Sequence, residues 1–431
     1  MRVRSGTAER RVKSGCQRGD VRRGVWVATV ALAAAGLSVR AQAASFSGLD
    51  PAAWPAIPIP NISLDPTNGA TLGLIPAVLQ HDSAGRIVRI FAPDLVHNSN
   101  FGWGGHLRLL GYPSPDTQYS LIAGIMQHVE SQFEAQCDTG LNRTGRWSVS
   151  TDFDYERSGT ARFFGIGNGT PFAARSVFTD QRLRMHLRWG WNVTRAWQLA
   201  ATLIVQKVRV GAAHLPGIDS ITERFPQAVG LGTTHEVLER LAVVYDTRDS
   251  IALPHRGMDV TVYAGAASRN GAPDGSLFTE AGVDGRFYWS PSRSLTIAAH
   301  FDLRYMPSVH AVPCWALSSI GGESSVLGGR QTLRGFGDSR FYGRNSFVVN
   351  LEVRRQVAAF NAFGTHLTLQ VAPFFDTGRV FEHGSTFPIG RLHNVLGVGV
   401  RGIAAPFIVG YLDVGYGGEG AAVFTGIDYP F

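Results

Sequence analysis

The strongest constraint on the fold is an alternation of apolar and polar residues with a period of two. In the segment 182–191 the odd positions are apolar and most even positions are charged, which is the pattern of a β-strand with two different faces. The apolar set is Leu183, Met185, Leu187, Trp189 and Trp191, and the opposite set includes Arg182, Arg184, His186 and Arg188. The same pattern returns in 295–306 and 347–356. The chain is therefore expected to be all-β.

Segments of this kind predict sixteen strands. A soluble sandwich strand can alternate in the same way, so alternation alone leaves the architecture open. The candidate strands lie near 68–79, 85–96, 100–111, 116–136, 145–157, 177–192, 196–210, 235–247, 256–268, 276–290, 294–308, 344–358, 363–376, 391–405, 406–417 and 420–431.

The lengths of the connections favour a membrane barrel over a sandwich. Bacterial outer-membrane barrels have short periplasmic turns and longer external loops. The sequence therefore predicts a 16-stranded antiparallel transmembrane β-barrel, with apolar side chains outward and charged ones in a wet lumen. The short links are 97–99, 193–195, 291–293 and 359–362, and the long ones are 158–176, 211–234, 309–343 and 377–390.

The first 44 residues resemble an export signal. They carry nine basic and two acidic side chains, then an apolar run at 25–39 and the small-x-small sequence Ala41-Gln-Ala43. The run is shorter than the roughly 20 residues that a membrane helix needs, although an uncleaved anchor is the alternative reading. We expect a signal peptide at 1–44, a proline-rich periplasmic lead-in at 45–67 and the barrel at 68–431.

Without its leader the chain has no excess charge. The remaining residues carry 31 basic and 31 acidic side chains, so the formal charge of +7 belongs to residues 1–44. Nucleic-acid binding therefore has no support from bulk charge.

The most distinctive motif is Leu333-Arg334-Gly335-Phe336, within the polar, glycine-rich stretch 328–343. Arg340-Phe-Tyr-Gly343 follows, and then an alternating strand containing Asn350-Leu-Glu-Val-Arg354. A second motif, Phe374-Phe-Asp-Thr-Gly378, lies two strands after the loop that contains the first. The chain ends on an alternating segment that includes Tyr429 and Phe431, which is typical of a C-terminal insertion signal.

These motifs resemble those of the BamA/TamA family of outer-membrane assembly factors, also called the bacterial surface antigen family. The resemblance implies a sixteen-stranded barrel in which the loop between strands 11 and 12, here 309–343, folds into the lumen. It also implies that Arg334 meets Asp376, with Phe374 and Gly378 beside it on strand 13. A solvated arginine and a turn aspartate are the alternative reading.

Other features complete the expected site. Family members generally carry POTRA domains before the barrel, and the stretch 45–67 is too short for one, so a barrel-only branch is expected. The residues expected to line the lumen are Arg182, Arg184, His186, Arg188, Glu352 and Arg354.

No enzyme chemistry is indicated. Gly165-Ile-Gly-Asn-Gly-Thr170 lacks the flanking strand and helix of a phosphate loop, and Gly337-Asp-Ser339 lies inside the glycine-rich stretch. No Cys/His spacing resembles a zinc site. We therefore expect no catalytic residues, metal or cofactor.

The expected location is the bacterial outer membrane, and the expected role is membrane-protein insertion or protein or lipid translocation through a weak seam and a mobile plug loop. The alternative is a passive pore or structural barrel without assembly activity. Expected partners are outer-membrane lipids and lipopolysaccharide, the assembly machinery that inserts the barrel itself, and a client polypeptide.

Overall fold

The computed structural model describes residues 56–270, 277–307, 312–322, 333–362, 365–382, 390–404 and 408–427. All of them belong to the second of two units, Asp50–Phe431. Within these ranges no helix is long and apolar enough to cross a membrane. The expected signal peptide and the terminal residues Tyr429 and Phe431 lie outside the described residues.

The described residues form 21 strands and two short helices. The first strands are β1 (Ala56–Asp65), β2 (Gly69–His81), β3 (Ile87–Phe91), β4 (Asp94–Asn98), β5 (Gly102–Ser114), β6 (Thr117–Met126), β7 (Glu130–Thr139), β8 (Trp147–Phe163), β9 (Ser176–Asn192) and β10 (Trp197–Ala212). The others are β11 (Gly232–Asp246), β12 (Gly257–Asn270), β13 (Leu277–Ser292), β14 (Leu295–Tyr305), β15 (Ser318–Ile320), β16 (Phe341–Gly343), β17 (Asn345–Ala362), β18 (Thr365–Phe381), β19 (His393–Ala404), β20 (Ile408–Tyr416) and β21 (Ala421–Ile427). The helices are the 3₁₀ turn Phe172–Ala174 and α1 (Ile221–Arg224).

Nineteen of these strands form one antiparallel sheet that closes on itself where β1 meets β21. β3 and β4 both pair with β2 on one side and β5 on the other, so they are two halves of one barrel strand. The barrel therefore has eighteen strands, and the expectation of sixteen was wrong.

Both additional strands precede the plug loop. Residues 56–65, expected in the lead-in, form β1 and pair with β2 over ten residue positions. The segment 116–136, expected to be one strand, is a hairpin of β6 and β7. The plug loop consequently lies between barrel strands 13 and 14, formed by β14 and β17, rather than between strands 11 and 12.

Two prolines explain the interruption between β3 and β4. The register of β2 with β3 and β4 places Pro76 directly opposite Pro93. Proline has no backbone N–H, so neither residue can donate a ladder hydrogen bond to the other. The strand breaks at that position.

The two faces of the barrel differ as a membrane barrel requires. Arg182, Arg184 and His186 of β9 line the lumen, while Met185 between them is exposed on the outer face. A contiguous apolar outer face fits lipid rather than water. Outward side chains that are more than half exposed include Leu72, Leu107, Ile125, Leu241, Trp289 and Leu396.

The described parts of the plug loop, 312–322 and 333–343, are packed inside the barrel. β15 and β16 pair with each other and form a separate two-stranded sheet. One apolar cluster joins Trp315 and Tyr342 to Phe164 of the β8–β9 connection and Phe178 of β9. A second joins Leu333 and Phe336 to other buried side chains, among them Phe374 of β18 and Val395 of β19. Apolar packing thus holds the loop at two places.

Candidate functional site

Arg334 is presented by a tight turn within the plug loop. The Phe336 N–H donates to the Leu333 carbonyl at 3.2 Å, which closes a turn with Arg334 and Gly335 at its centre. Leu333 is fully buried and forms an antiparallel bridge with Gly322. Both ends of the turn are therefore fixed, and the arginine side chain points to the inner wall of β17, β18 and β20.

The guanidinium of Arg334 binds Asp376 of β18 through two parallel hydrogen bonds. Nε donates to Oδ2 at 2.9 Å, and Nη2 donates to Oδ1 at 2.8 Å. The backbone N–H of Arg334 also donates to Asp376 Oδ2 at 3.1 Å. This two-pronged geometry is the strong form of an arginine–carboxylate pair. The loop is thus attached to the strand through both its side chain and its backbone.

Two further carboxylates complete the shell around Arg334. Nη1 donates to Glu352 Oε2 of β17 at 2.8 Å and to Asp413 Oδ2 of β20 at 3.0 Å. The ring of Phe374 lies 3.6 Å below the guanidinium carbon. Burial acts to lower the pKa of Arg334, but Asp376, Asp413 and Glu352 together raise this pKa well above its ordinary value.

Arginines of the wall balance the remaining charge. Arg401 of β19 donates to Glu352 at 3.0 Å and to Asp413 at 3.1 Å, and Arg354 donates to Glu352 at 2.9 Å. With Arg334 these make three arginines for three carboxylates, and all six side chains are almost fully buried. The charges of this network cancel, which makes its burial tolerable, although Arg401 Nε has no hydrogen-bond partner among the described residues.

Glycines make room for this arrangement. A Cβ on Gly335 would lie 2.6 Å from the Gly417 N and 2.7 Å from the Tyr416 carbonyl carbon. A Cβ on Gly415 would collide with the Arg334 carbonyl group. The loop backbone therefore lies directly against the end of β20. Gly378 has a similar role in β18, because a Cβ there would be 2.7 Å from the Phe347 carbonyl oxygen.

Arg340 forms a second buried contact centre near the outer end of the loop. Its Nε and Nη2 each donate to Glu419 at 2.7 Å, in the β20–β21 connection. Nη2 also donates to the Thr170 carbonyl at 2.7 Å, in the β8–β9 connection. The guanidinium carbon lies 4.4 Å from the Phe164 ring centre and 4.5 Å from that of Phe341. One arginine thus joins three separate loops.

Comparison with known proteins decides the family. The sequence profile described as the Omp85 superfamily domain matches residues 126–408, which is more than half of the chain. The chain belongs to the Omp85 superfamily. Barrels of this superfamily are outer-membrane proteins, and the resemblance seen in the motifs is confirmed. No curated protein sequence gives a significant match.

Several solved structures are similar to this Omp85 barrel. BamA from Haemophilus ducreyi lacking POTRA domains 1-3 has 12% identity and a TM-score of 0.49, over 86% of this chain and 75% of that one. CdiB from Escherichia coli has 13% identity and a TM-score of 0.46, over 87% and 63%. CdiB from Acinetobacter baumannii has 12% identity and a TM-score of 0.46, over 86% and 59%. The chain thus spans less than two thirds of either CdiB. Its described residues hold no POTRA-like region.

The Omp85 barrel closes through a sparse seam between β1 and β21. Among the described residues one pair, Leu64 and Val423, is in register, while β20 and β21 share seven pairs. The Ile62 N–H reaches across the seam but donates to the Thr425 side-chain oxygen at 2.8 Å. Backbone groups alternate in direction along a strand, so Pro58 and Pro60 also face the seam. Neither can donate to β21.

The predicted lumen residues fall into two groups. Arg182, Arg184 and His186 line a cavity of about 1100 Å³ between wall and plug. Arg188 lies on the same face and donates to Gln198 at 3.4 Å. Glu352 and Arg354 are instead sealed in the network around Arg334. Sequence reasoning missed Arg401 and Asp413, which alternate inward on β19 and β20 but belong to no recognised motif.

Asp284, His300 and Asp302 bring their ligand atoms within 4.8 Å of one another on β13 and β14. Both nitrogens of His300 already have protein partners: Nδ1 is 2.9 Å from Asn350 Oδ1, and Nε2 is 3.2 Å from Asp284 Oδ2. The arrangement is that of a hydrogen-bonded wall cluster. The cysteines of the barrel are unpaired, with Cys137 exposed and Cys314 buried.

Proposed function

We propose that this Omp85 barrel works, without enzyme chemistry, in the bacterial outer membrane, where it inserts or translocates polypeptide or lipid by opening the seam between β1 and β21. The plug loop, anchored by Arg334, would keep the lumen closed until the seam opens. The client would be an extended polypeptide or a lipid, and the barrel's own insertion would depend on outer-membrane assembly machinery.

The sparse seam is the observation that carries this proposal. Each unmade backbone hydrogen bond removes about 1 kcal/mol of net stabilisation from an interface. Among the described residues, the seam has one registered pair between strands of ten and seven residues, and this makes it the least costly place to open the described ring. An open edge offers unpaired N–H and C=O groups, to which an extended client strand can add.

Locking the seam tests the proposal. Leu64→Cys with Val423→Cys, in a Cys137→Ser, Cys314→Ala background, should form a disulfide across the registered pair, because directly opposed residues have closely spaced Cβ atoms. Cells depleted of the native protein would be complemented with this variant, and the outer-membrane proteome and surface export would be measured. We expect loss of complementation when the disulfide forms and recovery with reductant.

The control carries the same cysteines one at a time, which exposes the chain to the same oxidant without a cross-link. Full complementation by the oxidised double variant would reject seam opening. That result would favour the second candidate function, a passive pore or structural barrel. The charge-balanced anchoring of Arg334 agrees with this candidate, because it fixes the plug loop in place. Steady small conductance in planar bilayers would agree with a fixed plug, and large fluctuating openings with a mobile one.

A further inference from the structure

One side of the lumen carries a group of acidic side chains that the network around Arg334 does not use. Glu130 and Glu134 of β7 and Asp152, Asp154 and Glu156 of β8 line the central cavity of about 1100 Å³. In all, nine acidic and five arginine side chains line this cavity. A water-filled cleft with an excess of negative charge concentrates cations.

The arginines of β9 satisfy only part of this charge. Arg184 binds Asp154 through two hydrogen bonds of 3.0 and 3.1 Å and lies 3.9 Å from Asp152 Oδ2. Arg182 is held by Asp180 at 2.7 Å. Thus Asp154 and Asp180 have close charged partners, Asp152 has only the longer contact with Arg184, and Glu130 accepts a single hydrogen bond from the Ser158 hydroxyl at 3.1 Å.

Glu134 is the side chain whose environment suggests that a ligand binds here. It is only 8% exposed, yet its carboxylate has no hydrogen-bond or ion-pair partner among the residues that the structure describes. Asp152 Oδ1 is buried and likewise has no hydrogen-bond partner there. A carboxylate at this depth without a protein partner is costly, and so is its neighbour Asp152, whose one ion pair is 3.9 Å long, because the protein has removed part of their water without fully replacing its charge stabilisation. A ligand with a charge of +2 would neutralise both.

The distance between the carboxylates determines whether such a cation would be bound directly or through its water ligands. Glu134 is directly opposite Asp154, and Asp152 is therefore its diagonal neighbour across the β7–β8 ladder. Diagonal neighbours have side chains about 7–8 Å apart. Glu134, Asp152 and Asp154 do not bring all their ligand atoms within 4.8 Å of one another, so they form no cage for a bare ion.

A cation that keeps its own water fits this gap. Mg²⁺ loses water reluctantly and is usually bound through one or two carboxylates with several waters retained. Gln136, opposite Asp152, also lines the cavity, and its Nε2 donates to Asp138 at 3.0 Å. Its amide oxygen is thereby left as an acceptor for water bound to the ion.

We propose that Glu134 and Asp152 bind a hydrated divalent cation of the Mg²⁺ type on the lumen wall. The ion neutralises the buried carboxylate of Glu134 and the half-buried carboxylate of Asp152, and it reduces the repulsion between Glu134 and the directly opposed Asp154. It bridges β7 and β8 from inside. The site lies away from both the seam and Arg334, so its failure would not bear on the proposed translocation role.

Binding can be measured on the full chain in detergent with Mn²⁺ as the probe. Free Mn²⁺ is followed by electron paramagnetic resonance, and Mg²⁺ is added as competitor. We expect one site that Mg²⁺ displaces, and roughly tenfold or greater weakening in Glu134→Gln and in Asp152→Asn, equivalent to about 1.4 kcal/mol per tenfold. Glu239→Gln is the matched control, because Glu239 is exposed on the outer face of β11 and the substitution removes the same charge. It should bind like the native chain.

Thermal unfolding gives a second readout. Mg²⁺ should raise the Tm of the native chain and of Glu239→Gln but not that of Glu134→Gln, since a ligand stabilises only the state that binds it. Absence of Mg²⁺-competed Mn²⁺ binding by the native chain at millimolar concentration would overturn the proposal without any variant. Equal binding by the native chain and either lumen variant would also overturn it.

Discussion

Arg334 Nη2 lies 2.8 Å from Asp376 Oδ1, and both side chains are completely buried. The two residues are 42 positions apart, in a loop and in a strand that the loop does not directly precede. Because Glu352 and Asp413 also bind Arg334, three barrel strands converge on one guanidinium. The anchoring of the plug therefore depends on the closed barrel wall as much as on the loop itself.

Replacing Arg334 with alanine should destabilise the protein strongly. The change leaves three buried carboxylates with two arginines, and breaking a buried ion pair in this way costs about 3–5 kcal/mol. The unfolding free energy in urea and the protease resistance of 309–343 should both fall. Arg224→Ala is the control, because the Arg224–Asp219 pair is 36% and 61% exposed and such pairs contribute less than about 1 kcal/mol. Unchanged protease resistance in Arg334→Ala would refute anchoring by this arginine.

Gly335→Ala should displace the loop even though Arg334 is intact. The added methyl group meets backbone atoms of Tyr416 and Gly417, which cannot move without disturbing β20. Overpacking of this kind costs about 1–3 kcal/mol. Gly402→Ala in β19 is the comparison, since its Cβ would meet nothing closer than 3.9 Å. Faster proteolysis of the loop in the first variant alone is the expected result, and equal proteolysis of both would contradict the packing argument.

Stability should fall as the pH rises toward neutrality, through Asp338 of the plug loop. Enclosure by the barrel, followed by the charges of Asp65 and Glu156, raises the pKa of Asp338 to about 7 from an ordinary value of 3.8. The side chain of Asp338 is exposed to the lumen, so its titration will change the folding stability less than the titration of a fully buried carboxyl group would. A raised carboxyl pKa means that the folded state retains a proton which the unfolded chain loses.

The resulting stabilisation is complete below pH 4 and disappears as pH passes through about 7. Asp338→Asn cannot ionise, so its Tm should decline less than that of the native chain between pH 5 and pH 8. The measurement is the difference in Tm between the two proteins at each pH, which cancels the contributions of groups that do not interact with Asp338. A difference that does not grow with pH would exclude Asp338 as the source.

Pro60→Val should strengthen the seam. The valine supplies an N–H at a seam-facing position opposite Ile427, worth about 1 kcal/mol for one backbone hydrogen bond. Slower amide exchange in β21 and weaker seam-dependent activity are expected. Ile62→Val is the control, because position 62 already has its N–H and lies on the same exposed face. Equal exchange in the two variants would show that the prolines do not limit pairing.

Alternation predicted most of the barrel, and its two failures have physical causes. The proline-rich segment that contains β1 was interpreted as an extended lead-in, but the positions without an N–H lie at the seam, where no ladder bond is lost to β2. The β6–β7 turn contains no glycine or proline, and Val129 adopts a φ of 57° that branched residues rarely accept. Neither feature can be recognised before the neighbouring strands are known.

The sequence predicted only those site residues that belong to a recognisable local motif. Asp376 was predicted because it lies in the Phe374–Gly378 motif and because the alternation of side chains along β18 places it on the inward face. Asp413 reaches Arg334 from 79 residues away, because β19 pairs with both β18 and β20 and the loop folds back against all three strands. Arg401 and Asp413 alternate like many lumen residues, so no local signal distinguishes them.

Arg340 has a consequence for the mechanics of the barrel mouth. The β8–β9 and β20–β21 connections lie roughly half of the ring apart, and Arg340 binds both through Thr170 and Glu419. Arg340 therefore links opposite sides of the barrel opening. Narrowing of the opening along this diameter leaves its hydrogen bonds possible, whereas widening requires the guanidinium to lose its bonds to either Thr170 or Glu419. A load on the outer end of β21 would be carried to the far wall before the ring deforms.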